Sequence, residues 1–291
     1  MMTALSPERE QTFYKLLQSF PADNPTETAY AARATTRGWL TLQHLPPGSE
    51  SMKLLDVGSM KGLFGPAYLD LWKYGEAHLL GYDFPASGAL HRTGPDGRSY
   101  VFPTQRANIE LEPWPYPDET FDTIVCMEVL EHLIFDPVFA MNELCRVLKK
   151  NGQALITVPN AASDDCLTYL VNDRQPGFLR HYIKDALIAG QRDLGTVYNL
   201  GHFHEYTRAD FECLANSTGF EIAQLTGMSD APMLLDSFRF RLLRHFTRWL
   251  FPHSRRIREQ HLLALLKKQT FTPLARLKNR YPPPLYQPLF Q

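Results

Sequence analysis

The 291 residues carry 30 Lys and Arg against 31 Asp and Glu, with 44% hydrophobic and 21% charged side chains. Apolar material for a sizeable core is present, so a disordered polyelectrolyte is excluded, and the balanced charge excludes a uniformly basic nucleic-acid binder. The balance hides an asymmetry: residues 238–280 hold nine Arg and three Lys against the single acid Glu259, a surplus of +11, which leaves −12 for the rest and points to an anionic partner for the tail.

Ser6-Pro7-Glu8 has the composition of a helix start, with Phe13, Leu16, Leu17 and Phe20 following at helical spacing. A second helix is expected over Thr26 to His44, closed by Pro46-Pro47-Gly48. The pattern then changes to short apolar runs alternating with helical stretches. Strands are expected at 53–57, 79–83, 121–127, 154–158 and 220–225, and helices at 63–72, 138–148 and 207–218. Residues 84–104 suggest a loop or small hairpin. The alternation predicts an α/β fold with a largely parallel sheet. Residues 161–205 interrupt it and are expected to form a lid or binding insertion. Three units follow: N-terminal helices over 1–49, a core over 50–230, and a basic extension over 231–291.

Cys126, Cys145, Cys166 and Cys213 form neither a CxxC pair nor a disulfide framework. No apolar run approaches the ~18 residues of a membrane span, and no secretory signal is visible. A cytoplasmic protein is expected, at most resting on a membrane surface.

The chemistry is concentrated in Leu54-Leu55-Asp56-Val57-Gly58-Ser59-Met60-Lys61-Gly62. Glycines at the end of a first strand permit a sharp turn and close approach of a ligand to the backbone. Asp83, at the end of the next strand, suits the two hydroxyls of a ribose. The dinucleotide fingerprint would need glycines where Met60 and Leu63 stand, and Asp56 would repel a pyrophosphate but favour a cationic ligand.

These motifs resemble those of class I S-adenosylmethionine-dependent methyltransferases, with a Rossmann-like sheet, whose pattern is an apolar strand, an acid and GxGxG. Asp56, Gly58 and Gly62 match, while Met60 replaces the middle glycine. The resemblance covers roughly residues 50–226 and implies cofactor contacts from Asp56, Gly58, Ser59, Gly62, Asp83, Asn108, Ile109 and Met127, with Asn108-Ile109 at the adenine edge. Its order of motifs is more specific than any one motif.

Glu128, Glu131 and His132 stand at i, i+3 and i+4, so an α-helix there would gather all three on one face. Such a set suits Mg²⁺ or Mn²⁺, with His202 or a neighbour as a further ligand. The Glu128–His132 and His202–Arg208 segments resemble ubiquinone-biosynthesis and polysaccharide-associated O-methyltransferases, and also small-RNA 2′-O-methyltransferases, whose metal pattern implies Glu128, Glu131, His132 and His202 as ligands. The same wording occurs in methyltransferases that need no metal, where these residues line the pocket. His132 and His202 are also the candidate proton acceptors. Tyr169, Phe178, Arg180, His181 and Tyr182 are candidate pocket residues.

The expected reaction is methyl transfer to a hydroxyl with a neighbouring hydroxyl, on a saccharide or glycan free or carrier-linked. A catechol or quinone precursor is the alternative, RNA ribose ranks behind both because the body is acidic, and a non-catalytic cofactor-binding protein is the reading from another class. Residues 238–251 form a basic amphipathic helix on a helical wheel. Peripheral membrane contact through 238–280, a homodimer, or packing of the apolar face on the body are its expected uses, and His245, His253 and His261 are expected at the surface.

Overall fold

The computed structural model describes residues 6–18, 20–21, 25–82, 84–85, 87–173, 202–232, 238–250 and 257–271. Two helices lead: α1 (Pro7–Gln18) and α2 (Pro25–Leu42). Ser6 caps the first, its Oγ accepting from the Arg9 amide at 3.3 Å. β1 (Lys53–Val57), α3 (Gly65–Asp70) and β2 (Glu76–Gly81) follow, then the hairpin β3 (Ser87–Thr93) and β4 (Ser99–Arg106). β5 (Phe121–Met127), α4 (Pro137–Val147), β6 (Leu148–Pro159), α5 (Asp164–Leu170), α6 (Arg208–Ser217), β7 (Phe220–Met228), α7 (Phe238–Leu250) and β8 (His261–Lys268) complete the described elements.

The strands form one eight-stranded sheet ordered β3-β4-β2-β1-β5-β6-β8-β7. β4, β2, β1, β5 and β6 pair in parallel, whereas β8 runs antiparallel to both β6 and β7. This is the Rossmann-like class I methyltransferase architecture expected from the motifs. Successive strand residues face opposite layers, which is why the central strands are apolar along their whole length. Leu55, Ile124, Cys126 and Ile156 join α4 and α6 in one core. Leu54, Val125 and Leu155 join the N-terminal helices in the other. There Phe13 packs on Trp39 with ring centroids 5.3 Å apart and stacks on Phe64 at 6.1 Å.

The hairpin at 84–104 is larger than expected, since β4 pairs with β2 and carries the sheet outward. The basic extension expected over 231–291 contributes a strand to the sheet: β8 is hydrogen-bonded between β6 and β7 over its length. The physical reason is local: Leu262 to Leu266 is an apolar run of strand length, and Leu262, Leu263, Ala264 and Leu266 are buried. Even Lys268 is drawn in, donating to the Leu148 carbonyl at 2.6 Å. His261, expected at the surface, is likewise buried. Among the described residues no helix is long and apolar enough to cross a membrane.

Candidate active site

In an open α/β sheet a ligand crevice forms where the strand order reverses, outside the carboxyl ends of the strands. Here that point lies between β1 and β5. The β1 loop turns at Gly58 (φ +70°) and Gly62 (φ +67°). A Cβ on Gly58 would stand 2.5 Å from Val129 Cγ2, and one on Gly62 2.9 Å from Leu79 Cδ1. Both positions therefore require glycine for backbone angle and for space. Met60, in place of a middle glycine, packs against the N-terminal core.

Asp56 is buried at the end of β1 and accepts from the Tyr68 hydroxyl at 3.1 Å. Burial pushes its pKa to about 7, so a cationic ligand nearby would restore its charge. Ser59 is buried, and its Oγ has no hydrogen-bond partner among the described residues. An orphan hydroxyl beside a backbone loop held open by two glycines fits the polar methionine portion of S-adenosylmethionine. Asn108 Oδ1 accepts from the Glu110 amide at 3.3 Å, and the Ile109 carbonyl accepts from Trp114 Nε1 at 3.1 Å, which fixes the turn expected at the adenine edge. Met127 ends β5, half-buried at the crevice. Asp83 lies outside the described residues, as do Phe178, Arg180, His181 and Tyr182.

The segment after β5 departs from the helical expectation. Glu128 takes φ +54°, and only Leu130–His132 is helical, as a single 3₁₀ turn. The shared face of Glu128, Glu131 and His132 therefore does not form, because the i, i+3, i+4 relation holds only along continuous α-helix. Glu128 turns instead to Arg37 of α2, at 2.7 Å, and to His261 of β8, at 3.0 Å. Asp230 closes the square, 2.7 Å from Arg37 Nε and 3.3 Å from His261 Nε2. Burial opposes the Glu128 charge, but His261 and Arg37 outweigh it and hold its pKa below the usual range. His261 is raised to about 9, the Glu128 charge and the Asp230 hydrogen bond overcoming burial. Two cations and two anions neutralise one another at the crevice edge.

Glu131 has the opposite environment. It is fully buried, and neither carboxylate oxygen has a hydrogen-bond partner among the described residues. Burial, then the neighbouring Glu128 charge, raises its pKa well above the usual range. One ligand atom each from Glu131, His132 and His202 lie within 4.8 Å of one another. The imidazoles of His132 and His202 meet edge to face, centroids 4.8 Å apart. The chain brings His202 there through its backbone: the Phe203 and His204 amides donate to the Glu131 carbonyl at 2.7 and 3.2 Å. Tyr206 OH donates to the Leu130 carbonyl at 3.3 Å, and Tyr206 pairs with Asn160 at the end of β6. His202 Nδ1 also lies 3.3 Å from Glu205.

Arg37, Asp230 and His261 carry no motif that marked them, since each is distant in sequence from Glu128. Glu110 was missed too; buried, it accepts from the Phe135 amide at 2.6 Å and pins the loop leading to α4.

Residues 30–225 match the family model described as a methyltransferase domain. A chain of the complex between the Haloferax volcanii Trm112 methyltransferase activator and its methyltransferase superposes with a TM-score of 0.52 at 11% identity, over 92% of this chain and 100% of that one. An S-adenosylmethionine-dependent methyltransferase from Listeria monocytogenes gives 0.50 at 13% identity, over 81% and 100%. These structural likenesses concern the fold. An uncharacterized protein of Methanocaldococcus jannaschii is 41% identical over 49 residues, which is 17% of this chain and 21% of that protein.

Proposed function

The chain belongs to the methyltransferase-domain family, and we propose that this S-adenosylmethionine-dependent methyltransferase acts on a hydroxyl beside a second hydroxyl, on a saccharide or glycan, at a divalent-cation site of Glu131, His132 and His202. The observation that carries the reading is the Glu131 carboxylate, buried without a hydrogen-bond donor and grouped with two imidazoles. Ionising a buried carboxyl without a donor costs free energy that a bound cation would offset. One carboxylate and two ring nitrogens suit Mn²⁺ or Mg²⁺.

Bound S-adenosylmethionine supplies a methyl group already activated by its sulfonium, so the protein needs no covalent intermediate. Gly58 and Gly62 keep the loop backbone bare for the donor's methionine portion, and Ser59 Oγ offers it a hydrogen bond. Asp56 balances its positive charge. Asn108 and Ile109 would hold its nucleoside, with Asp83 expected at the ribose, and Met127 would contact the same ligand. Held by the three side chains, a divalent ion would lower the pKa of a coordinated hydroxyl. A vicinal diol would offer the ion two such oxygens, and positioning the attacking one would lower the barrier to transfer. His132 and His202 are the bases of the group when no ion engages them.

The test measures methyl transfer from labelled S-adenosylmethionine to saccharide pools, before and after exhaustive chelation, beside Mn²⁺ titration calorimetry of the wild type, Glu131→Gln and His202→Ala. Transfer lost on chelation and restored by Mn²⁺ or Mg²⁺ is expected, with Mn²⁺ binding weakened in both variants. Activity that survives chelation and both substitutions removes the metal. Equal rates on diols and isolated hydroxyls remove the acceptor assignment.

A further inference from the structure

The basic helix α7 is oriented opposite to the expectation that its apolar face would cover the body. Arg244 is buried on the inward side, with Phe240, Leu243 and Thr247 half-buried beside it. Arg248 reaches Asp164 of α5 at 3.1 Å, and Arg258 reaches the other oxygen of the same carboxylate at 3.2 Å. The helix is thus fastened to the body through a mixed face on which Arg244 is buried and Arg248 pairs with Asp164. Its opposite side carries Phe238, Leu242, Phe246, Trp249 and Leu250, exposed by 74%, 53%, 53%, 70% and 46%. At 3.6 residues per turn these five fall within an arc of about 120°.

We propose that this face of α7 is a docking surface for an anionic lipid bilayer, with the helix lying in the plane of the headgroups. Two features select a lipid surface over other occupants. The first is composition: aromatic and leucine side chains with arginines at their border are what an interfacial helix inserts, apolar tips into the acyl boundary and cations among phosphates. Arg241 and His245 are exposed along that border, and Arg239 is exposed within the arc. The second is charge. Arg239 falls inside the apolar arc, between the directions of Phe246 and Leu250. The helix carries Arg239, Arg241, Arg244 and Arg248 and no acid, so two copies packed across the arc would set like charge near like charge. A layer of lipid phosphates answers the same arginines with opposite charge. This inference is independent of the acceptor and of the metal site.

Tryptophan fluorescence provides the test. The chain has four tryptophans, of which Trp39, Trp72 and Trp114 are buried and Trp249 is exposed. A blue shift on adding vesicles therefore reports Trp249. The full chain is mixed with phosphatidylcholine vesicles, or with phosphatidylcholine containing about a third phosphatidylserine, and followed by fluorescence and co-sedimentation at low and high salt. The wild type is expected to partition to the anionic vesicles with a blue shift, more weakly at high salt. Phe246→Glu with Trp249→Glu, at exposed positions that the fold does not need, is expected to lower partitioning by about tenfold or more. Equal partitioning of wild type and double variant overturns the proposal. So does a lipid-independent dimer that the double variant abolishes while neither protein binds vesicles, because a second copy then covers the face.

Discussion

Replacing Glu131 by leucine separates the demands of folding from those of the site. A partnerless buried carboxylate is a liability in the metal-free protein. The cost of burying a polar group without its hydrogen bonds is about 1–3 kcal/mol in protein interiors. Leucine is similar in volume, and the neighbourhood that feels the Glu131 charge includes the buried side chains of Cys126 and Tyr206. Glu131→Leu should therefore raise the stability of the chelated protein by about 1–3 kcal/mol, or about 2–6 °C in Tm for a chain of this size. Mn²⁺ should reverse the order. At a hundredfold excess over its Kd a ligand of the folded state adds about 2.7 kcal/mol to the wild type, and nothing comparable to the variant. The assay is thermal unfolding of both proteins in EDTA and over a Mn²⁺ series. A variant less stable than the wild type in EDTA would show that Glu131 supports the core. Equal Mn²⁺ shifts in both would place the cation elsewhere.

Two other perturbations follow from the crevice. Gly58→Ala forces a side chain into the left-handed region at φ +70° and sets its Cβ 2.5 Å from Val129 Cγ2; with about 1–2 kcal/mol for the backbone and about 1–3 for overpacking, Tm should fall and S-adenosylmethionine affinity drop more than tenfold, and unchanged values of both would refute the loop's role. His261, raised from 6.5 to about 9, stabilises the fold fully below about pH 6.5 and loses that contribution as pH rises through about 9. The stability gap between wild type and His261→Gln should therefore narrow from pH 6.5 to pH 9, as read from urea midpoints, and parallel profiles would refute the ion-pair assignment.

The parts of the fold written in local pattern were legible. The central strands centre on short apolar runs, and β5 was placed residue for residue because Ile124 to Met127 is an unbroken apolar run whose segment is bounded by turn residues. The turn after β1 was legible because Gly58 and Gly62 meet a need for backbone angle and space that glycine satisfies. β8 was obscured by its surroundings: nine arginines in 238–280 made the segment look like one basic surface, although Leu262 to Leu266 has the length and composition of a buried strand. Charge summed over a window cannot distinguish a cation in solvent from Arg244 or Lys268 held inward. The spacing of Glu128, Glu131 and His132 misled for a different reason. It assumed a helix where the chain leaves the strand through φ +54° at Glu128, and a single left-handed residue reorients every side chain after it.

The consequence of that reorientation separates two glutamates three residues apart. Glu128 is matched by Arg37 and His261, with Asp230 balancing the second cation. Elements remote in sequence, α2 and β8, are thereby tied to the end of β5, and removing any one partner would leave a buried charge uncompensated. Glu131 has no such network among the described residues: its carboxylate accepts no hydrogen bond and meets the His132 ring 3.9 Å away. Its backbone carbonyl is doubly satisfied by Phe203 and His204, so the surrounding chain is ordered around it and only the carboxylate is left without a donor. An ordered shell around one carboxylate without a hydrogen-bond donor, with His132 and His202 beside it, is the arrangement that motivates the proposed cation site. Glu128 therefore ties the end of β5 to α2 and β8, whereas Glu131 is the acid proposed as a cation ligand.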